Sequence, residues 1–300
     1  MSLIRLNSPE TRAVFGIFIR FGLRGVLILR PDFSRRFLIL WRKMASCSTN
    51  VEIMKRFTPI LLSALAFLLG WDILTRFSGI PNFILPSPLS VWTRFLKAMS
   101  DGSLPHHTAI TLTEIVLGLV VGVLFATIVG YPLAKSRSLE KVLSPYLVAS
   151  QAIPVIAIAP LLVIWLGDGI LSKVVICALI VFFPVLVNTI VGVRAVPTAL
   201  YDLMNSLHAS RAQILWKVEV PASLPVFLGG LRIGATLSVI GAIVGELVDA
   251  ESGLGFLLQL GDFQYDTPMV FVAVFTLIAL ALMLYGIVRV LENKFLKWQN

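Results

Sequence analysis

Six stretches of this chain are apolar and long enough to cross a lipid bilayer, and this constrains its fold more than any other feature. A crossing helix needs about 17–25 residues. The stretches lie at 58–74, 108–134, 142–166, 174–193, 226–248 and 268–290. With 57% hydrophobic and 14% charged residues, most of the chain is suited to lipid rather than water. Because lipid leaves backbone polar groups to be satisfied internally, we predict an all-α integral membrane protein with six transmembrane helices.

The third stretch contains three prolines, Pro145, Pro154 and Pro160. A proline inside a helix removes one backbone hydrogen bond and clashes with the preceding turn. We therefore predict a kinked or broken third span.

Positive charge is concentrated near the N-terminus and sets the expected topology. Residues 1–57 hold 11 Lys and Arg but three acids, which is +8 of the total +9. The segment 249–267 has four acids and no Lys or Arg. The excess of basic residues in cytoplasmic loops predicts that both termini, the loop 135–141, the stretch 194–224 and the tail 293–300 face the cytoplasm. A basic segment beside a membrane is explained by anionic lipid, so we expect no nucleic-acid partner.

The extension 1–57 precedes the predicted six-span domain 58–292 and is expected to be cytoplasmic or to lie on the membrane surface. Its apolar stretch 13–29 is interrupted by Arg20 and Arg24, which favours an amphipathic surface helix over a span. No cleavage site of signal-peptide type follows. A translation start at Met44 or Met54 is the alternative explanation of the extension.

The longest polar interruption in the second half of the chain is the stretch 194–224. Apolar residues at helical spacing predict a short helix after Pro197, with Thr198 as its N-cap, and a second helix ended by Pro221. A turn at His208, Ala209 and Ser210 is expected between them. The stripe of the first helix is formed by Leu200, Leu203, Met204 and Leu207, and that of the second by Ile214, Leu215 and Val218. Periodicity alone allows two roles, padding beneath the bundle or a surface for another protein.

The spacing in this stretch resembles the cytoplasmic loop of bacterial ABC importer permeases. That loop has the pattern Glu-Ala-Ala, three residues, Gly, nine residues, then Ile-x-Leu-Pro. Asp202 stands at the Glu position, His208 at the Gly and Pro221 at the Pro. The remaining positions are filled by Leu203, Met204, Val218 and Val220, so the spacing is kept but the residue types differ.

The resemblance extends from about residue 71 to 292. Residues 80–92, 150–167 and 223–258 look like the nitrate, sulfonate and taurine permeases, and residues 182–194 and 238–247 look closer to permeases for riboflavin or thiamine-precursor pyrimidines. The resemblance implies a type I importer subunit in the inner membrane, with no cofactor. It also implies three partners, which are a cytoplasmic ATPase, an extracytoplasmic binding protein and a second copy of the chain.

The sequence contains no G-x-x-x-x-G-K-[ST] motif, so we expect ATP to be hydrolysed on another polypeptide and this chain not to be an enzyme. ATPase closure would then move the helices of 198–220 as levers. We expect Asp202→Lys and His208→Pro to abolish uptake while the chain still inserts into the membrane.

Polar residues within the spans are candidates for the substrate path. Ser150, Gln151, Asn188 and Ser238 can hydrogen-bond a heteroaromatic solute or, equally, neighbouring helices. The ionisable residues Glu114, Arg232 and Glu246 lie nearer the span ends, where snorkelling is possible, and are assigned a structural or gating role rather than contact with the solute.

Two other classes of protein are less consistent with this sequence. A self-contained secondary transporter would carry charges deep in several spans. An intramembrane enzyme would need paired carboxylates, a nucleophile motif or a metal pattern. The expected cargo is a small heteroaromatic of the vitamin type, with sulfonate, taurine or nitrate as the alternative.

Overall fold

The computed structural model describes residues 58–59, 62–77, 79, 81–248 and 251–296. The predicted surface helix at 13–29, the alternative start sites and the last four residues of the tail lie outside these ranges. The chain divides into two compact units, Met1–Leu69 and Gly70–Asn300. Residues 58–59 and 62–69 are the described part of the first unit, and all of them are helical.

All regular structure in the described residues is helical, as predicted. Helix α1, residues 62–77, begins in the first unit and ends in the second. The remaining helices are α2 (Pro88–Ser100), α3 (Ser103–Lys135), α4 (Arg137–Gln151), α5 (Val155–Leu166), α6 (Ile170–Arg194), α7 (Thr198–Ser206), α8 (Arg211–Ile214), a π-helical turn (Leu215–Glu219), α9 (Val220–Val248), α10 (Leu254–Phe263) and α11 (Thr267–Phe295).

Helix α6 is central to the second unit and packs against both α3 and α9. Small residues allow this close approach. A Cβ atom added to Gly122 of α3 would lie 2.8 Å from the carbonyl oxygen of Ala178, and one added to Gly241 of α9 would lie 2.7 Å from the Cα of Cys177. Helices in lipid associate through such close packing, since burial from water contributes little between them.

Contacts between these three helices define two ends of the bundle. Arg194 at the end of α6 donates to the carbonyl of Leu133 near the end of α3, so these helices run in the same direction. Thr111 near the start of α3 donates to Glu246 near the end of α9, so α9 runs the opposite way. We call the end that carries the stretch 194–224 the coupling end and the opposite one the distal end.

The third predicted span is broken, as its prolines indicated. Helices α4 and α5 are bent by 92° at a short break. The break falls at Pro154, which precedes the first residue of α5, whereas Pro145 and Pro160 lie inside helices that continue past them. Proline is tolerated at a helix start because the N–H that it lacks has no partner there.

Four described helices are long and apolar enough to cross a membrane, and the bent pair makes five if it counts as one span. The four are α3, α6, the continuous helix Arg211–Val248 and α11. The first predicted span, 58–74, overlaps α1, whose described length is below that of a crossing helix. The count of six spans therefore stays a prediction.

The second short helix of the polar stretch does not end at Pro221, and that part of the prediction was wrong. Helix α8, the π-helical turn and α9 form one continuous helix from Arg211 to Val248. The N–H of Val220 bonds to Leu215 O, five residues back, instead of four. A π turn is wider than an α turn, so the proline ring has room beside the preceding carbonyls and the helix continues.

Candidate functional site

The polar stretch 194–224 folds into a helical hairpin at the coupling end, with the turn where it was predicted. Helix α7 is followed by His208, whose φ of 52° is left-handed. Histidine tolerates this region better than most residues, although glycine is the usual choice. Ser210 then caps α8 through a reciprocal pair of hydrogen bonds with Gln213, a capping box that the sequence analysis missed although Ser-x-x-Gln is its signature.

The start of α7 differs from its prediction. Thr198 is the first helical residue, and Pro197 occupies the N-cap position without a side-chain hydrogen bond. Proline is well suited to a helix start because its φ is already close to the helical value.

The apolar stripe of α7 is exposed rather than packed. None of its nine described residues is buried. Leu203 is 56% exposed and Leu207, which follows the helix, is 67% exposed. Trp216 in the π-helical turn is exposed as well. The stripe therefore does not pad the described part of the bundle, although Met204 and Ala209 are only partly accessible.

An ion-pair cluster fixes the hairpin to α3. Glu219 of the π-helical turn is buried, forms an ion pair with Lys135, and accepts a hydrogen bond from the hydroxyl of Tyr131 at 2.9 Å. Lys135 also donates to the hydroxyl of Tyr201 on α7 at 3.4 Å. Burial and the nearby Glu219 carboxylate raise the pKa of Tyr201. Because Glu219 occupies a variable position of the loop pattern, nothing in that pattern singled it out.

Arg194 makes a second connection at the coupling end. Its guanidinium donates to the carbonyls of Ala134 and Leu133 in the last turn of α3, and it forms an ion pair with Glu140 of α4 at 2.7 Å. The last carbonyls of a helix have no partner within the helix, and a cation stabilises them. Arg194 thus joins three helices next to the hairpin. Val218 is buried and Pro221 partly buried in the same region.

The four residues predicted for a substrate path do not form one site. Ser150 and Gln151 are exposed at the end of α4, and the Ser150 hydroxyl donates to Leu147 O in its own helix. Asn188 donates to Pro184 O at 2.8 Å, also within its helix. Ser238 is fully buried and donates to Ala235 O. For Ser238 the prediction was wrong in this conformation, because close packing against Cys177 leaves its hydroxyl inaccessible to a solute.

At the distal end, Glu114 and Glu246 lie in the core and do not snorkel, which their positions near the span ends had allowed. They are 1% and 0% exposed. Glu246 accepts hydrogen bonds from the Thr111 hydroxyl and from Gly255 N–H, each at 2.5 Å. Glu114 lies 3.5 Å from Lys173 Nζ. Lys173, a lone lysine in the first turn of an apolar helix, was not predicted, because its partners Glu114 and Glu246 lie about 60 and 70 residues away along the chain.

Arg232 is paired rather than snorkelling. Its guanidinium contacts Glu292 of α11, and its charge lies 5.5 Å from the centre of the Tyr285 ring. An arginine over an aromatic face is stabilised by the ring's quadrupole. The pair joins α9 to α11, and the structural or gating role of Arg232 stays a prediction.

Comparison with known proteins identifies the class to which this arrangement of helices belongs. Residues 118–297 match the family described as "Binding-protein-dependent transport system inner membrane component". The chain belongs to this family, and it is the permease subunit of an ABC importer in the inner membrane.

Similar curated proteins name several cargoes. The riboflavin transport system permease RibX of Chloroflexus aurantiacus is 43% identical over 84% of this chain and 96% of its own length. The formylaminopyrimidine permease ThiX of Halalkalibacterium halodurans is 36% identical over 82% of this chain and 99% of its own. The taurine permease TauC of Escherichia coli is 32% identical over 92% and 98%.

A solved inward facing structure of the MetNI methionine ABC transporter has a similar fold. Its TM-score is 0.50 at 22% identity, and the match covers 62% of this chain and 91% of that one. At this identity the likeness concerns the fold alone.

Proposed function

We propose that this chain translocates a small heteroaromatic solute of the riboflavin or pyrimidine type, powered by an ATPase that docks on the hairpin 198–220. The observation that carries the proposal is the exposed apolar stripe of α7 beside the left-handed turn at His208. Leucines that no described residue covers are suited to the groove of another protein. Asp202 is exposed beside Leu203, so its carboxylate is available at the edge of the same surface.

The continuity of α8 with α9 supports a lever role for this hairpin. A force on α7 passes through the turn at His208 into one helix that runs from Arg211 to Val248. The Lys135–Glu219 pair links that helix to α3, and Arg194 links α3 to α4 and α6, so a displacement at the surface would reach several spans. Such coupling works through packed elements that have two discrete arrangements.

The experiment is uptake into proteoliposomes by the chain reconstituted with its ATPase and binding protein. Leu203→Glu places a charge in the docking surface, and we expect about tenfold or greater loss of uptake, since about 1.4 kcal/mol of lost docking energy already gives this factor. Asn205→Glu is the matched control, because Asn205 is exposed and polar on the same helix. Asp202→Lys and His208→Pro are expected to abolish uptake with normal insertion. If all four variants took up the solute at the wild-type rate, the hairpin would have no part in the mechanism.

The cargo class rests on the relatives that transport riboflavin and formylaminopyrimidine at 43% and 36% identity. Acidic residues without compensating bases in 249–267 weigh against an anion such as nitrate. Binding of riboflavin, pyrimidines and aliphatic sulfonates to the partner binding protein tests this part separately. If the binding protein bound only sulfonates, the cargo would belong to the sulfonate and taurine class instead.

The cytoplasmic placement of both termini and a homodimeric assembly are part of the same proposal. A reporter fused at residue 260 should be active only outside the cytoplasm. Activity only inside would invert the topology. Cross-linking of two differently tagged copies in the membrane tests the homodimer, and a heterodimeric complex would show no such product.

A further inference from the structure

A pocket of about 380 Å³ lies at the distal end of the bundle, remote from the hairpin. We call it the distal acidic pocket. Its lining residues come from the starts of α3 and α6 and from the segments that precede α6 and α10, namely Ile110, Glu114, Asp168, Gly169, Ile170, Lys173, Glu251 and Ser252. Asp168 and Glu251 are exposed at its rim, whereas Glu114 and Lys173 are buried at its floor.

The hydrogen bonds at the floor of the pocket are incomplete. Glu114 Oε1 lies 3.5 Å from Lys173 Nζ, which is longer than the roughly 2.7–2.9 Å of a strong charged hydrogen bond. Glu114 Oε2 accepts no hydrogen bond from any residue that the structure describes. Native proteins pair nearly all of their buried polar atoms, so an orphaned carboxylate oxygen in the wall of a pocket indicates a missing donor.

The charges at the floor do not balance either. The carboxyl groups of Glu114 and Glu246 are close enough to share a hydrogen bond when one of them is protonated, and Lys173 is the one base beside this pair among the described residues. Glu246 already has the Thr111 hydroxyl and Gly255 N–H as donors, but these are neutral groups. A buried charge without a counter-charge is costly, so two ionised carboxylates at the floor need one positive charge more than Lys173 supplies, either a bound cation or a proton that they share. The rim adds two more carboxylates and no base.

The size of the pocket and the arrangement of its carboxylates determine the kind of cation that fits. Within the residues that the structure describes, no group of three or more His, Cys, Asp and Glu is arranged to hold a metal ion. Metal ligation needs oxygens that converge at about 2.0–2.6 Å. Here Glu114 at the floor and the exposed Asp168 and Glu251 at the rim line one pocket of about 380 Å³. A larger cation with several N–H donors can reach both.

We propose that the distal acidic pocket binds a guanidinium or primary ammonium group, which donates to Glu114 Oε2 at the floor and is held by Asp168 and Glu251 at the rim. The group is presented on a small free amine or on a basic side chain of a polypeptide, since both offer the same donors and charge. This site is separate from the hairpin and does not depend on the transport role proposed above.

The test measures protection of Glu114 in the full chain in lipid nanodiscs, where both faces are accessible. A hydrophobic carbodiimide labels buried carboxyl groups, and mass spectrometry of the peptide that contains Glu114 gives the labelling rate. Methylguanidinium at about ten times its dissociation constant should slow this rate about tenfold by simple occupancy. Methylurea, which has the same shape without the charge, and sodium chloride at equal concentration should leave the rate unchanged.

Variants at the rim show whether protection comes from this pocket. Asp168→Asn and Glu251→Gln should each weaken protection by methylguanidinium about tenfold, while Asp262→Asn should not. Asp262 is the matched control because it is an exposed acid of α10 that does not line the pocket. All three side chains are exposed, so folding should be unaffected. Glu114→Gln should remove the label from this peptide.

A blocked Gly-Arg-Gly peptide distinguishes the two sources. Protection by the peptide at a lower concentration than methylguanidinium assigns the site to a polypeptide side chain, and protection by the small compound alone assigns it to a free solute. Three results would overturn the proposal. These are equal slowing by methylurea or salt, protection that survives in both rim variants, and a labelling rate that changes with pH but not with methylguanidinium, which would identify a shared proton as the missing charge.

Discussion

The two ends of the bundle carry similar residue types in opposite settings. At the coupling end, Lys135 keeps 39% of its side chain exposed while it pairs with Glu219, and the leucines of α7 face outward. At the distal end, Glu114, Lys173 and Glu246 are all in the core. The coupling end thus leaves apolar side chains and one partner of its ion pair accessible, whereas the distal end buries three ionisable side chains beneath an acidic rim.

This contrast follows from what each end must interact with. A docking surface needs exposed side chains that another protein can cover, and its ion pairs contribute little because water competes for them. An enclosed cluster is screened far less, so its members depend strongly on one another. The distal end is therefore expected to respond to substitution through stability, and the coupling end through transport.

The largest effect is expected from Lys173→Met, which removes the one base beside two buried carboxylates. Removing one partner of a buried pair costs about 3–5 kcal/mol in the free energy of unfolding. An SDS titration in mixed micelles would measure this loss. Adding Glu114→Gln should recover most of the loss. Lys141→Met, at an exposed lysine, should change stability by less than about 0.5 kcal/mol. A Lys173→Met protein as stable as that control would contradict the enclosed-cluster interpretation.

A smaller loss is expected from Gly255→Ala, which tests how closely Glu246 is enclosed. A Cβ at this position would lie 2.7 Å from Glu246 Cβ and 2.9 Å from its Oε2. Overpacking of this kind costs about 1–3 kcal/mol. Gly286→Ala is the control, because no described atom lies within 4 Å of its added Cβ and alanine favours the helix. Equal stability of the two variants in the same titration would show that the distal end can relax.

At the coupling end, a double-mutant cycle of Lys135→Met and Glu219→Gln should give an interaction energy of about 1 kcal/mol. This value lies between those of fully exposed and fully buried ion pairs, since only Glu219 is buried. Uptake should fall more than stability, since this pair links the hairpin to α3. If the interaction energy of Lys135 with Glu219 were as large as that of Lys173 with Glu114, and uptake were unchanged, the proposed difference between the two ends would be contradicted.

The smallest effect is expected from His208→Gly. Relief of the left-handed backbone is worth about 1–2 kcal/mol, but the greater freedom of glycine in the unfolded chain offsets about 0.4–1 kcal/mol. The net gain is local and is measured as slower hydrogen exchange of the Ala209 amide, which bonds to Met204 O at 3.0 Å. Uptake should be kept. Faster exchange at Ala209 would mean that the imidazole contributes contacts of its own at this turn.

Several elements were predictable because their causes are local. Apolar length predicted α3, α6, α9 and α11, since a crossing helix satisfies its own hydrogen bonds. The prolines predicted a break in the third span, although the sequence did not show at which of the three prolines the helix would break. The turn at His208 was predictable from the two apolar stripes that lie on either side of it. Apolar periodicity also predicted α7, but not whether its stripe would be covered.

Other features depended on partners that are distant along the chain. Pro221 was expected to end a helix, and only the π-helical turn before it shows why the helix continues. The positions of Glu114 and Glu246 near the span ends allowed them to reach the interface, and a single span does not show that Lys173 and Gly255 lie beside them in the core. Ser238 was assigned to a path that close packing of α9 on Cys177 excludes in this conformation.

The sequence by itself determined that this protein is helical, is embedded in a membrane and carries a two-helix element between two of its spans. These features depend on hydropathy, prolines and residue spacing, which can be read from short stretches of chain. Only the tertiary structure decided which charges are paired, which leucines are left exposed and where an unbalanced carboxylate meets a pocket. Burial and pairing are properties of neighbouring helices, and the residues concerned lie up to about 140 positions apart, far beyond the range of any local pattern.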